Sequence, residues 1–135
     1  MDPGRVRVGL ALSDESRTIA QPHLTVAAVK EDALLAAIGR VVQEQEVVGI
    51  VVGLPLRMSG EAGPEAESAR GLGLRIAAET GIVVGFCDER LTTRQAEKEM
   101  LGQGARRRLR RDAGDRVAAA LLLQGVLAGS RVREW

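Results

Sequence analysis

The opening stretch M-D-P-G-R-V-R-V-G-L-A-L-S-D, residues 1–14, decides the architecture. From Arg5 to Ser13 the side chains alternate, Val6, Val8, Leu10 and Leu12 against Arg7, Gly9 and Ala11, which is the period of a strand with one core face. Residues 18–28 read as a second strand. Pro22 lacks a ladder donor, so that strand is bent or lies at an edge. The period then switches to 3.6: Leu34, Leu35, Ile38, Val41 and Val42 predict a helix over 31–46. The continuous run 47–52, closed by Gly53, fits a strand buried on both faces and parallel to its neighbours.

Beyond it, G-L-P-L-R-M-S-G-E-A-G-P (53–64) is punctuated as a loop. Pro64 suits the first turn of a helix reaching Glu79, although Gly71 and Gly73 weaken it. Residues 81–87 form another apolar strand. Thr92 or Thr93 can cap a short helix carrying Ala96, Met100 and Leu101, an arginine run intervenes, and an apolar helix is expected over 112–127. Residues 131–135 carry little signal. Two initial strands followed by alternating helix and strand make an α/β domain with an antiparallel start and later parallel strands.

At 135 residues the chain is expected to form one domain spanning 1–135. Its 45 % apolar content includes one Phe, one Trp and no Tyr, so the core must be aliphatic and base-stacking platforms are scarce. The single cysteine, Cys87, excludes an internal disulfide and disfavours a cysteine zinc site. No leader and no long apolar run is seen, so the cytoplasm is the expected location and no membrane partner is expected.

Formal net charge is +1, but the charge is unevenly spread. Arg106, Arg107, Arg108, Arg110, Arg111 and Arg116 crowd one stretch, and Glu61, Glu65 and Glu67 another. Seventeen of the nineteen basic residues are arginine, whose planar fork suits phosphate, although a GC-rich genome gives the same bias. Three acids have distinctive settings: Asp2 before Pro3-Gly4, Glu89 at a strand end, and Asp115 opening the last apolar helix. One fold could gather them around hard cations, which prefer carboxylate oxygens, and the reaction class this suggests is metal-dependent phosphodiester cleavage.

Four motifs carry a specific resemblance. D-P-G-R-V-R-V-G-L-A-L-S-D, V-V-G-L-P-L-R-M-S-G-x-x-G-P-x-A, D-E-R-L-T-T and G-D-x-x-A-A-x-L-L-L-Q, in that order and over almost the whole chain, resemble the YqgF/RuvX family. The resemblance implies an RNase H-like three-layer α/β fold, a mixed five-stranded sheet flanked by helices. It implies a nuclease, since the family is described as Holliday junction resolvases and as nucleases maturing the small-subunit ribosomal RNA precursor. Asp2, Glu89 and Asp115 would then be the metal carboxylates, holding two Mg2+ or Mn2+ ions. The partners would be branched DNA or a structured rRNA precursor, with a homodimer the simplest machine for two symmetric cuts.

Each residue also has a plainer reading. Asp2 could be a turn residue, and Asp115 a helix N-cap. Asp88 competes with Glu89, because successive strand residues point to opposite faces. Asp112, three residues before Asp115, would share its face if the helix already exists there, and is a secondary metal candidate. Arg57, Arg90, Thr92, Thr93, Arg106, Arg107, Arg108, Arg110 and Arg111 are the candidate phosphate contacts. The plainer reading of the run is a solvated basic loop. Asp14 is expected to serve a turn, while His23 and Cys87 should pack rather than react.

One departure from the family pattern concerns the start. The family's first aspartate ends a strand, yet only Met1 precedes Asp2 here. An unfilled inner strand would leave backbone groups unpaired, so upstream residues, another segment or another chain is expected to fill the gap. A well-paired inner strand from Met1 to Arg5 would count against this. Two other functions fit the fold: a nucleic-acid-binding module that does not cut, and ATP-dependent phosphoryl transfer, to which D-P-G-R-V-R-V-G bears a faint likeness. Length disfavours the latter, which closes two such domains around ATP.

Overall fold

A computed structural model describes residues 1–4, 6–89, 106–129 and 133–134, with backbone alone at 106–114 and 133–134. Its elements are β1 (Asp2–Pro3), β2 (Arg7–Ser13), β3 (Ala20–Ala27), α1 (Glu31–Glu44), β4 (Gly49–Leu54), α2 (Pro64–Thr80), β5 (Val83–Asp88), α3 (Arg106–Leu127) and β6 (Arg133–Glu134).

Strands β1-β2-β3 form an antiparallel sheet, while β4 and β5 pair in parallel, with β6 antiparallel to β5. Met1 joins the two sheets. Its ammonium donates to Val51 O (2.6 Å) and its carbonyl accepts from Gly53 N (2.9 Å), giving the order β3-β2-β1-β4-β5-β6. Asp2 and Pro3 pair on the other side with Gly9 and Val8. For Met1 to Pro3, then, the expected gap is closed by the chain itself. β6 is a pairing that the short tail did not announce.

The two faces of β2 are built differently. Val8 and Leu10 join Met1, Val52, Leu54, Val84 and Phe86 of the sheet against Leu34 and Ile38 of α1 and Leu72 and Ile76 of α2. Fully burying such side chains stabilises by about 1.5–3 kcal/mol each. The opposite face is also covered, so the expectation of a single core face is too narrow. There α3 lies on β2, burying Val117, Ala119, Ala120, Leu121 and Leu122. Small sheet residues let it approach: a Cβ on Gly53 would fall 2.3 Å from Leu122 Cδ1, and one on Gly9 only 1.8 Å from Asp115 O.

Several boundaries move for local reasons. The β4 ladder runs on through Gly53 and Leu54, which pair with Cys87 and Asp88, so the strand outlasts the glycine expected to end it. α2 starts at Pro64 and closes at Gly81, whose φ of 71° suits a left-handed cap. Gly73 is a packing residue within that helix, since a Cβ there would lie 2.7 Å from the Phe86 ring. β3 is the outer strand, and the register shifts beside Pro22, as its missing donor requires. The largest correction is α3. Its backbone is helical from Arg106, so the arginine run forms the first turns of a helix rather than a loop, and Asp115 is an interior helical residue rather than an N-cap. The short helix expected at 92–101 lies outside the described residues.

The β2–β3 turn is organised by Asp14. Its carboxylate accepts from the backbone N–H of Thr18 (2.8 Å) and Ile19 (3.1 Å) and from the hydroxyls of Ser16 and Thr18. These donors hold it well below the usual carboxylate range. Asp14 has the turn role expected of it.

Candidate active site

Parallel pairing places the ends of β4 and β5 at one edge of the sheet, and Met1, bonded at Val51 and Gly53, brings Asp2 to that edge. Glu89 follows β5 directly. The carboxyls of Asp2 and Glu89 are hydrogen-bonded to each other and so share a proton. Burial and then the Asp2 charge push Glu89 up to about 7. Asp2 is also raised, chiefly by burial and further by Asp115, against the opposing effects of the Glu89 hydrogen bond and the nearby N-terminal ammonium. Of the two neighbouring acids, it is Glu89 that meets Asp2. Asp88 ends the β5 ladder opposite Leu54 and adds its charge to the raising of Glu89.

Asp115 reaches the site from the helix. Asp2 pairs with Gly9 across β1 and β2, and Gly9 lies against the backbone of Asp115, so register and a missing side chain together put the third acid beside the first. Its carboxylate receives Arg7 Nε at 3.2 Å in a largely exposed pair. Among the described residues no three acidic, histidine or cysteine side chains stand close enough to form a ready-made metal cage. The arrangement is a proton-sharing pair with a third carboxylate held to one side by a guanidinium.

The other expected residues are placed as follows. Arg57 sits on the exposed loop after β4, its guanidinium folded over Gly63 at the start of α2. Arg90, Thr92 and Thr93 lie outside the described residues, as do the side chains of Arg106, Arg107, Arg108, Arg110, Arg111 and Asp112. Asp112 is helical, one turn before Asp115. His23 is half-buried at the β3 irregularity, and Cys87 is buried, its thiol pushed up by burial. A hollow of about 600 Å3 opens elsewhere, lined by Pro3, Val8, Glu31, Ser68 and Arg75 on the α1–α2 side of the sheet.

Sequence reasoning left three residues without roles. Gly9 admits Asp115, Arg7 holds it, and Gln124 ties α3 to the hairpin. The Gln124 amide accepts from Ala20 N (2.9 Å) and donates to Thr18 O (3.0 Å). The signal for Gly9 was present: Gly9 and Ala11 share the face opposite Val8 and Leu10, and adjacent small residues on a strand face leave room for a close helix.

Sheet order and flanking helices give an RNase H-like fold. The fold matches that of T. thermophilus RuvC in complex with a Holliday junction substrate, with a TM-score of 0.63 at 18 % identity over 99 % of this chain and 96 % of that one. A second T. thermophilus RuvC structure gives 0.52 at 14 %. The chain belongs to the family described as RuvX: Holliday junction resolvase, whose model matches residues 1–129. A protein of Anaeromyxobacter dehalogenans (strain 2CP-1 / ATCC BAA-258), named "Putative pre-16S rRNA nuclease", is 44 % identical over 94 % of this chain and 93 % of its own length. One of Cereibacter sphaeroides (strain KD131 / KCTC 12085) with the same name is 42 % identical, over 94 % and 79 %.

Proposed function

We propose that this chain is a divalent-metal-dependent endonuclease of the cytoplasm, folded as one domain, that hydrolyses phosphodiester bonds in structured nucleic acid. The observation that carries the reading is the Asp2–Glu89 pair: two carboxyls brought together where burial penalises their ionised forms, with Asp115 beside them. Structural demands alone rarely draw acids together in this way, because unpaired buried charge is costly. A cation offsets that cost, and carboxylate oxygens are the donors that Mg2+ or Mn2+ prefers.

The donor set therefore fits such ions, with Asp2, Glu89 and Asp115 holding them and Asp112 a further ligand. Two bound ions would supply an activated water and neutralise charge on the departing oxygen. The chain's own residues have separable tasks. Asp2 is fixed by its own pairing with Gly9 and by the bonds of the adjoining Met1 to β4, so its carboxyl is pre-positioned. Glu89, raised to about 7, would keep a proton at its carboxyl in the metal-free protein and would lose it to solvent on ligating an ion. The arginines of α3, with Arg57, Arg90, Thr92 and Thr93, would seat backbone phosphates without reading bases.

The names of the relatives support an rRNA precursor as substrate, and the family description supports a four-way DNA junction. A two-fold dimer is expected if the junction is cut, because two symmetric incisions are needed. The test is cleavage of both labelled substrates with Mg2+ or Mn2+, comparing the chain with Glu89→Gln. Metal-dependent cutting by the chain, with binding but no cutting by the variant, supports the reading, and the preferred substrate names the role. Binding by both proteins with cutting by neither would replace it with a non-catalytic nucleic-acid-binding module.

A further inference from the structure

Arg7 and Asp2 are both neighbours of Asp115. On β2, Arg7 stands two residues from Gly9 and so shares its face, the face on which α3 lies. Asp115 is anchored over Gly9 through its backbone. Its carboxylate thus has an opposite charge on the Arg7 side, with Nε at 3.2 Å, and a like charge on the Asp2 side. Arg7 keeps most of its side chain in solvent. A guanidinium carries five donors, so one N–H on Asp115 leaves the rest of the fork for a second anion.

We infer that Arg7 is a positioning residue that holds Asp115 back from the Asp2–Glu89 pair until a cation arrives, and then turns its guanidinium to a substrate phosphate. The inference rests on the metal reading of the three carboxylates. Without a cation, Asp115 adds a second negative charge beside the one that the proton-sharing Asp2–Glu89 pair carries, and the Arg7 pair offsets that repulsion. With a cation bound, the charge balance on the Asp2 side reverses and the carboxylate is drawn there. Arg7 is then left unpaired next to the site of cleavage, where a phosphodiester oxygen is the anion at hand. Arg7 and the cation thus compete for one carboxylate, and the exposed Arg7 pair is weak enough for the cation to win.

The test is Mn2+ titration of the full chain without nucleic acid, counting free Mn2+ by electron paramagnetic resonance. It uses the unmodified chain, Arg7→Gln, Arg7→Lys, Asp115→Asn and the Arg7→Gln/Asp115→Asn pair, with a melting curve for each. Arg7→Gln should bind Mn2+ tighter, by roughly two- to fivefold, the size of an exposed ion pair. Arg7→Lys should stay close to the unmodified chain. In the Asp115→Asn background the Arg7→Gln effect should vanish, because the double-mutant cycle isolates the contact. An equal effect in both backgrounds would make Arg7 a remote charge, and unchanged or weaker Mn2+ binding in Arg7→Gln would overturn the competition. Either result leaves the metal reading standing, whereas no Mn2+ binding by the unmodified chain would remove that reading and this inference together. With Mn2+ present, Arg7→Gln should also lower the salt slope of junction or rRNA binding by about one phosphate contact. An unchanged slope would overturn the phosphate step.

Discussion

Gly9 lies directly beneath Asp115: a methyl group on Gly9 would sit 1.8 Å from the Asp115 carbonyl oxygen and 2.2 Å from its carbon. The obstruction is main chain, which cannot rotate aside as a side chain can. Gly9→Ala should therefore lift α3, costing about 1–3 kcal/mol as overpacking does, and move Asp115 relative to Asp2. Urea unfolding measures the first effect and Mn2+ affinity the second, and both should fall. Gly39→Ala is the contrast. Nothing lies within 4 Å of a Cβ there, so within α1 it should gain about 0.5–1 kcal/mol.

The acid pair makes stability depend on pH in a defined direction. Glu89 is raised from 4.5 to about 7, so below pH 4.5 it is protonated in both folded and unfolded chains and has no effect. Between 4.5 and 7 the unfolded chain releases the proton first, and above 7 the loss of stability is complete. Asp2 is shifted upward too and acts with the same sign. The metal-free melting temperature should therefore fall as pH rises from 4.5 to about 6, above which the N-terminal ammonium, lowered to about 6 by burial, releases its proton in the folded chain and opposes the effect. Glu89→Gln, neutral at every pH and still able to donate to Asp2, should flatten the profile and melt higher than the unmodified chain at pH 8. Mg2+ should restore the unmodified chain at that pH by taking the place of the proton.

Gln124 answers two backbone groups of the hairpin from across the molecule. Gln124→Ala would leave the buried Ala20 N–H without this acceptor and should cost about 1–3 kcal/mol. Gln124→Glu keeps an acceptor but loses the donor to Thr18 O, and should fall between the two. Hydrogen exchange at the Ala20 amide should accelerate in the alanine variant, with little change in the β4–β5 ladder.

Gly73 tests packing against propensity. On propensity alone, Gly73→Ala would stabilise α2 by about 1 kcal/mol. The added Cβ meets two Phe86 ring atoms at 2.7 Å, and Phe86 is a fully buried side chain, so net destabilisation is expected. Combining it with Phe86→Leu should cost less than the two single changes summed, because the smaller side chain vacates the contested space.

Much of this was legible along the chain. Alternation along β2, the switch of period at α1 and the β-branched run of β4 gave the element order, because those periods follow from backbone geometry. Pro64 marked the start of α2, and Pro22 marked an irregular outer strand. The arginine run misled, because charge without apolar periodicity reads as loop, while the backbone is helical from Arg106. The tail strand β6 was too short to announce itself.

At the site, the motif resemblance singled out Asp2, Glu89 and Asp115 as candidates, while the residues alone left a turn role open for Asp2 and a cap role open for Asp115. The amino-acid order by itself determined the α/β class and the family. Tertiary structure decided which acids meet. Glu89 rather than Asp88 contacts Asp2 because a strand alternates its faces and the register of β5 sets which of them is turned inward. Asp115 lies beside Asp2 because Gly9 admits a helix backbone at that point, and its carboxylate rests on Arg7 because β2 places both on one face. Such relationships join residues about a hundred positions apart. They depend on the distance between packed surfaces, a quantity that no local pattern in a chain encodes.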